Sequence, residues 1–303
     1  MSVTLPNPSS PPFNIGTHQF YSDVQYGYDS GRQKMDIFNS SIPGPEPHNL
    51  RPCVILCHGG GFTGGDKSDT YSSSGQRNMI KQLLDRGVVV AAINYPLLDD
   101  PNNVEGLLYC VRSAGRSVQF LKFSQLNIDP ERVLMMGSSA GGSIALWVGV
   151  SPDMSTYGFP EDPISVVSSK LHAIIATSVQ ATLDVVKWEQ VFLSYGWQVS
   201  AIGSKCDDYY HEPNFYTPMA TTRRAWVDSL AHISANSPEI WAGSSVPNVA
   251  PDTTSILFHH PLHIKALKDQ YTALGRSGKF EAPALGISSD ESMTQFLLRK
   301  ISD

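Results

Sequence analysis

A strand, a sharp turn and a helix near the middle of the chain constrain the fold more than any other stretch. Residues 133–136 form a short apolar run, Gly137-Ser138-Ser139-Ala140-Gly141 follows, and residues 143–146 begin an apolar helix. The pentapeptide fits G-x-S-x-G, in which the central serine projects its hydroxyl above a sheet. The five residues alone also suit a turn with no chemistry, but the strand before and the helix after supply the required context. We therefore predict Ser139 to be a nucleophile.

The segment upstream predicts the fold class. Residues 53–57 are continuously apolar, which is typical of a strand buried on both faces, and they end in His58-Gly59-Gly60-Gly61. A helix near 74–86, a strand at 88–95 and a helix near 104–123 lead to the central strand. This alternation predicts an α/β protein with a mostly parallel sheet and helices on both faces.

We expect residues 1–303 to form one domain, because the sequence contains no internal repeat and no linker between two independent domains. Residues 1–17 are expected to form an extended arm. Residues about 185–232 are irregular and rich in aromatics, which is typical of a cap or insertion, although surface helices with ordinary packing would also fit. The other predicted elements are strands at 20–28, 33–38, 171–178, 238–243 and 281–287, and helices at 263–274 and 290–301.

Composition and charge exclude several classes of partner. The net charge is −6, the pI is near 5.8 and no basic run occurs, so neither nucleic acid nor an anionic membrane surface is expected as a partner. No stretch reaches the roughly 18 apolar residues of a membrane span. Residues 1–15 lack the apolar core of a signal peptide, so we expect a cytoplasmic protein, or a secreted or periplasmic one if an export signal has been removed. The four cysteines form no C-x-x-C pair and are expected to be free and buried.

The two glycine motifs, in this order and spacing, resemble the α/β-hydrolase superfamily. Within it the chain is similar to the carboxylesterase, hormone-sensitive-lipase-like and feruloyl and acetyl-xylan esterase group, well over residues 33–150 and loosely beyond. The resemblance implies a serine hydrolase that cleaves carboxylic esters through an acyl-enzyme. It also implies an oxyanion hole formed by the backbone N–H groups of Gly60, Gly61 and Ala140, with His58 as a structural residue.

The general base departs from the pattern of these esterases. Their histidine normally follows the last strand, but this chain has no histidine after His263. The loop after residue 241, where their acid usually lies, instead carries His259, His260 and His263. A branch of bacterial esterase-like hydrolases is similar here, and this similarity implies His259 as the base. His260 is the reserve candidate, and His263 is expected to be structural.

The acid is implied by the same branch. Its Q-x-x-x-D segment corresponds to Gln180 and Asp184, directly after the predicted strand at 171–178. The expected triad is therefore Ser139, Asp184 and His259, in the chain order serine, acid, histidine. Asp252 and Asp290 are reserve acids.

Two other interpretations remain open. The triad could be lost, which would leave a catalytically silent binding protein on a hydrolase scaffold. The i,i+4 pair His259 and His263, with Asp252 nearby, could suggest zinc, but Pro261 suits a first helical turn and disfavours that geometry. We expect neither a metal nor another cofactor. The expected substrate is a short-chain or carbohydrate-linked ester, and dehydratases, lactonases and amidases share this scaffold.

Overall fold

The computed structural model describes residues 3–28, 31–45 and 48–303. Met1 and Ser2 of the expected arm therefore lie outside the described residues. One eight-stranded sheet runs through the molecule in the order β1-β2-β4-β3-β5-β6-β7-β8. β1 pairs antiparallel with β2, β2 pairs antiparallel with β4, and the remaining pairs are parallel. The strands are β1 Gln19–Gln25, β2 Lys34–Asn39, β3 Arg51–Cys57, β4 Val89–Ile93, β5 Ile128–Ser138, β6 Ala173–Thr177, β7 Glu239–Gly243 and β8 Gly278–Glu281.

Helices cover both faces of the sheet. They are α1 Ser74–Leu84, α2 Leu107–Phe123, α3 Ala140–Val150, α4 Trp188–Val191, α5 Lys205–Tyr210, α6 Pro218–Trp226, α7 Ser229–His232, α8 Thr254–His259, α9 Pro261–Ala273 and α10 Met293–Ser302. None of these described helices is long and apolar enough to cross a bilayer.

The central strands are buried because helices pack against both of their faces. β3 and β4 are buried along their whole length, as the continuous apolar runs predict. Alternate residues of β3 pack into two separate hydrophobic cores. Val54 and Leu56 belong to the core that also contains buried residues of α1 and α10, whereas Ile55 belongs to the larger core with buried residues of α2 and α3. The expected α/β architecture is therefore confirmed, and all four cysteines are free and buried.

Three sequence expectations need correction. The last strand is β8 at 278–281 and not 281–287, because Pro283, which lacks an N–H, opens a 3-10 turn over Pro283–Leu285. The last helix begins at Met293 and not at 290, because Ser292 and Gln295 form a capping box there. Residues 185–232 are not irregular. They form short helices, α4 to α7 with 3-10 turns between them, that bury Trp188 and other aromatic side chains.

Candidate active site

Ser139 occupies a strained turn between β5 and α3. Its backbone has φ 56° and ψ −125°, an unusual conformation for a residue with a side chain. The turn requires glycine at positions 137 and 141, because the surrounding backbone leaves no room for a Cβ at either position. An added Cβ at Gly141 would lie 2.3 Å from the Cys57 carbonyl oxygen, and one at Gly137 would lie 2.5 Å from the carbonyl carbon of Gly141. The close approach of strand and helix therefore depends on these two glycines and points the Ser139 side chain away from the sheet.

The structure brings Ser139 and His259 together. The Ser139 Oγ lies 2.8 Å from the His259 Nε2, although the two residues are 120 positions apart. α9 begins at Pro261, as expected of a first-turn proline, and His259 precedes it as the last residue of the short helix α8. His260 then caps α9, so a break separates His259 from His263 and the i,i+4 geometry of a zinc site is not formed. No group of three potential metal ligands occurs among residues 3–28, 31–45 and 48–303.

The environment of His259 favours the neutral imidazole. Burial lowers the pKa of His259 below its usual value of 6.5, and a hydrogen bond to the backbone of Ser255, one helical turn earlier, partly opposes this shift. No charged group of the described chain contributes to this pKa shift. The ring is therefore ready to accept a proton near neutral pH.

The carboxylates expected to orient His259 lie elsewhere. The Asp184 Oδ1 accepts a hydrogen bond from the Arg224 Nε at 2.7 Å, and the same carboxylate caps the 3-10 turn Val185–Lys187. Asp290 pairs with the Lys279 Nζ at 2.8 Å, and Asp252 is exposed. In the part of the chain that the structure describes, none of the three is hydrogen-bonded to His259. The assignment of Asp184 as the orienting acid does not fit this geometry, because Arg224 already occupies its carboxylate.

The other histidines have structural partners. The His260 Nδ1 accepts from the Leu262 N–H at 3.1 Å, and its Nε2 lies 2.9 Å from the Val249 carbonyl oxygen. His260 is thus a helix cap rather than a second base. The His58 ring stacks on Tyr95 with 4.3 Å between centroids, and its Nδ1 lies 2.7 Å from the Gly59 carbonyl oxygen, so the structure places it in the structural position expected.

The glycine loop after β3 presents backbone N–H groups near the serine. Gly60 and Gly61 have φ values of 106° and 62°, which favour glycine, and the Gly60 carbonyl accepts from the N–H groups of Thr63 and Gly64 at 3.1 Å. Within the described ranges, the Gly60 and Gly61 N–H groups donate no hydrogen bond. Ala140 is the first residue of α3, where the helix offers its N–H no partner. These three groups are therefore available to a ligand.

A small apolar cavity of about 320 Å³, including its mouth, opens beside Ser139. This figure includes open solvent, and the enclosed space is about 20 Å³, well below the roughly 300–1,000 Å³ typical of small-molecule sites. Residues from the glycine loop, α2, the segment after β6, α8 and the 185–232 segment surround it. They are Gly61, Phe62, Leu107, Gln180, Leu183, Val185, Trp188, Tyr209 and Phe258.

Sequence reasoning missed two polar residues near the base. Gln180 was noted only as the first residue of a motif, yet its side chain links Ser143 to the Phe258 carbonyl, with both distances 2.6 Å. Ser244 follows β7 directly, and its Oγ donates to the His259 carbonyl at 2.6 Å. One signal could have identified Ser244: it lies in the loop where similar esterases usually carry their acid.

Comparison with known proteins places the chain in a family. Residues 35–200, more than half of the chain, match the family model BD-FAE. The chain belongs to the BD-FAE family. This is an α/β-hydrolase esterase family, as the glycine motifs predicted. Sequence similarity to a curated protein is partial: 149 residues, 47% of the chain, are 29% identical to the non-reducing polyketide synthase nvfA of Aspergillus novofumigatus. The matched region spans only 6% of the length of that synthase.

Solved structures share the fold of this BD-FAE member over most of its length. The propionate-bound esterase Est2 of Thermogutta terrifontis is 17% identical with a TM-score of 0.59, and the match covers 96% of this chain and 93% of that one. An acetyl ester-xyloside bifunctional hydrolase from Caldicellulosiruptor lactoaceticus is 20% identical with a TM-score of 0.54, covering 91% of this chain and 80% of that one. At these identities the comparison shows the α/β-hydrolase fold.

We predict that Asp184→Asn lowers stability and spares turnover. Asp184 and Arg224 are both largely buried, and breaking such a pair costs about 3–5 kcal/mol. Unfolding in urea should therefore shift to lower concentration, while kcat of the folded enzyme on p-nitrophenyl acetate stays within about threefold. A loss near the 10⁴-fold expected of a triad acid would instead restore Asp184 to the catalytic machinery. Asp290→Asn, which removes an exposed pair, is the control for the stability measurement.

Proposed function

We propose that this protein is a serine hydrolase that cleaves carboxylic esters through an acyl-enzyme. The observation that carries the proposal is the 2.8 Å contact between the Ser139 Oγ and the His259 Nε2 at the strained turn. A nucleophile within hydrogen-bond reach of a neutral imidazole is the arrangement that activates a serine. Membership in an esterase family supports the same conclusion.

In this mechanism His259 moves the proton in both half-reactions. It accepts the Ser139 proton as the Oγ attacks the ester carbonyl, and it then donates that proton to the departing alcohol. The tetrahedral oxyanion lies against the free N–H groups of Gly60, Gly61 and Ala140. Water next attacks the acyl-enzyme, with His259 accepting the proton of the water and returning it to Ser139. These steps use protein groups and water alone.

The catalytic unit is a Ser139–His259 dyad, and no carboxylate of the described residues is hydrogen-bonded to the base. The Ser255 backbone favours the protonated ring, but it carries only a partial charge to stabilise the imidazolium of the transition state. In serine proteases, replacing the acid lowers kcat on the order of 10⁴-fold. We therefore expect turnover below that of a complete triad, with the oxyanion hole and substrate positioning supplying much of the acceleration.

The cavity supports a short acyl group as the part of the ester bound next to Ser139. Its walls are apolar and its enclosed space is only about 20 Å³, so a two- to four-carbon chain suits it better than a feruloyl group. Residues 185–232 contribute Val185, Trp188 and Tyr209 to the walls, and we assign this segment as the cap. The propionate-bound Est2 and the acetyl ester hydrolase among the similar structures support this acyl class, and a carbohydrate remains a suitable alcohol.

Substitution at the dyad tests the catalytic proposal. Ser139→Ala and His259→Ala should each lower kcat on p-nitrophenyl acetate by at least about a hundredfold, because one removes the nucleophile and the other the base. Both variants should also lose labelling by a fluorophosphonate probe. Ser138→Ala is the matched control, because its exposed side chain lies next to the nucleophile in sequence. Full activity in Ser139→Ala would overturn the serine mechanism. Absence of both turnover and labelling in the wild type would favour a catalytically silent binding protein.

The pKa of His259 predicts the pH dependence. Burial lowers this pKa below 6.5, and the dyad needs the neutral ring, so activity is lost only when the pH falls through the lowered value. A plot of kcat/KM for an acetyl ester against pH should therefore have its acid limb centred below pH 6.5. A midpoint at or above that value would mean that a carboxylate raises the pKa of the base in solution.

The size of the cavity predicts the acyl preference. Acetyl, propionyl and butyryl p-nitrophenyl esters should have higher kcat/KM values than hexanoyl and octanoyl esters. Leu183→Ala enlarges the cavity wall and should raise kcat/KM for the hexanoyl ester by roughly tenfold relative to acetyl, the scale of one or two methylene contacts. Leu193→Ala is the control, because Leu193 lies ten residues further along the chain, is 77% exposed and is not among the residues that line the cavity. Equal rates across the wild-type panel would contradict the proposed acyl site.

A further inference from the structure

The last three carbonyls of α8, the helix that ends at the proposed base, each receive a side-chain hydrogen bond. The three donors come from different elements: the segment after β6, the loop after β7, and α9. The pairs are the Gln180 Nε2 with the Phe258 oxygen at 2.6 Å, the Ser244 Oγ with the His259 oxygen at 2.6 Å, and the His263 Nε2 with the Leu257 oxygen at 3.1 Å. We call Gln180, Ser244 and His263 the α8 cap.

A helix as short as α8 needs such support. It has six residues, and the last four carbonyls of any helix lack an intrahelical partner. Isolated helices of this length are unstable, so tertiary contacts must fix the conformation of their residues. Because His259 is the final residue of α8, the position of its ring depends directly on the α8 cap.

The α8 cap is itself rigidly held. The Gln180 Oε1 accepts from the Ser143 Oγ at 2.6 Å, and the Ser143 N–H donates to the Ser139 carbonyl at 3.0 Å. Gln180 therefore joins the turn that carries the nucleophile to the helix that carries the base. The Ser244 N–H donates to the Glu281 carbonyl at 2.9 Å, which anchors it to the neighbouring strand.

His263 is fixed in one protonation state and one tautomer. Its Nδ1 accepts from the Ala181 N–H at 3.3 Å, so the Nε2 carries the proton that bonds the Leu257 carbonyl. Burial lowers the pKa of His263 to about 3, which keeps the ring neutral wherever the enzyme would work. The side chains of all three α8 cap residues are buried, with at most 5% exposed.

We propose that Gln180 and Ser244 are positioning residues that hold His259 against Ser139, in place of the carboxylate that orients the base in a complete triad. Ser244 lies one residue beyond β7, yet it acts on the backbone carbonyl of the base and not on its ring. This inference rests on the proposed serine mechanism. A displacement of about 1 Å in a reacting group can cost on the order of a hundredfold in rate, so loosening α8 should reduce turnover without removing any catalytic group.

Ser244→Ala and Gln180→Glu test the inference on the full chain. The first removes a hydroxyl donor, and the second turns an amide donor into an oxygen that repels the Phe258 carbonyl. Each should lower kcat on p-nitrophenyl acetate by roughly ten- to a hundredfold with KM within about twofold. Each should also slow fluorophosphonate labelling of Ser139 by a similar factor, since labelling reports the reactivity of the serine. Ser244→Thr retains the hydroxyl and should recover most of the lost kcat.

Two matched substitutions control for the loss of a buried hydrogen bond. The Ser40 Oγ donates to the Leu84 carbonyl at 2.7 Å, and the Gln119 Nε2 donates to the Ser165 and Val167 carbonyls at 2.9 and 2.7 Å. Both side chains are buried, and none of the hydrogen bonds that the structure shows for them involves Ser139, His259 or α8. Ser40→Ala and Gln119→Glu should destabilise the fold to a similar degree and leave kcat of the folded enzyme unchanged.

The outcomes separate this inference from the proposed function. If Ser139→Ala is inactive while Ser244→Ala and Gln180→Glu behave like their controls, the positioning role is wrong and the serine mechanism stands. If Ser244→Thr remains as slow as Ser244→Ala, the hydroxyl is not what positions the base, and the role of Ser244 is also wrong. If Ser139→Ala keeps full activity, both proposals are overturned. Loss of kcat in the two α8 cap variants, with rescue by threonine, supports the inference.

Discussion

The hydrogen bond between Ser139 and His259 depends on two backbone features that lie far apart in the chain. One is the turn between β5 and α3, where Gly137 and Gly141 leave no space for a Cβ and hold Ser139 at positive φ. The other is the break between α8 and α9, which ends one helix at His259 and starts the next at Pro261. The parallel sheet brings both features to the carboxyl ends of its strands. Neither feature would create a reactive pair without the other.

In the proposed mechanism the base is held through its backbone, which distinguishes this site from a complete triad. A carboxylate would fix the ring and stabilise the imidazolium, whereas hydrogen bonds to the α8 carbonyls can fix only the position of the base. Asp184, which the sequence motif suggested for this purpose, instead forms a largely buried ion pair with Arg224 in the cap. In a complete triad the acid both orients the histidine and stabilises its positive charge. Here these two tasks are therefore divided between several groups.

The parts of the fold that follow from local pattern could be predicted from the sequence. The apolar run of β3 and the G-x-S-x-G turn each depend on residues within a few positions, and the structure has both as expected. The meeting of Ser139 with His259 was anticipated from a resemblance. The pairing of Asp184 with Arg224, 40 residues later, is a long-range contact that no local pattern specifies. Likewise, Pro261 indicated the start of α9, but His260 is an uncommon helix cap and no local pattern showed that His259 would end a preceding helix.

The neutrality of the reactive pair has a consequence for the effect of salt. Among the described residues, no carboxylate contributes to the pKa shift of His259, and burial favours the uncharged ring. The nucleophile, the base and the apolar cavity together present almost no fixed charge to an approaching ester. Screening by dissolved ions acts on pairs of charges, so it has little to weaken in the resting site. The acylation rate for a neutral ester should therefore be nearly independent of ionic strength, and salt would act mainly through the exposed ion pairs of the surface.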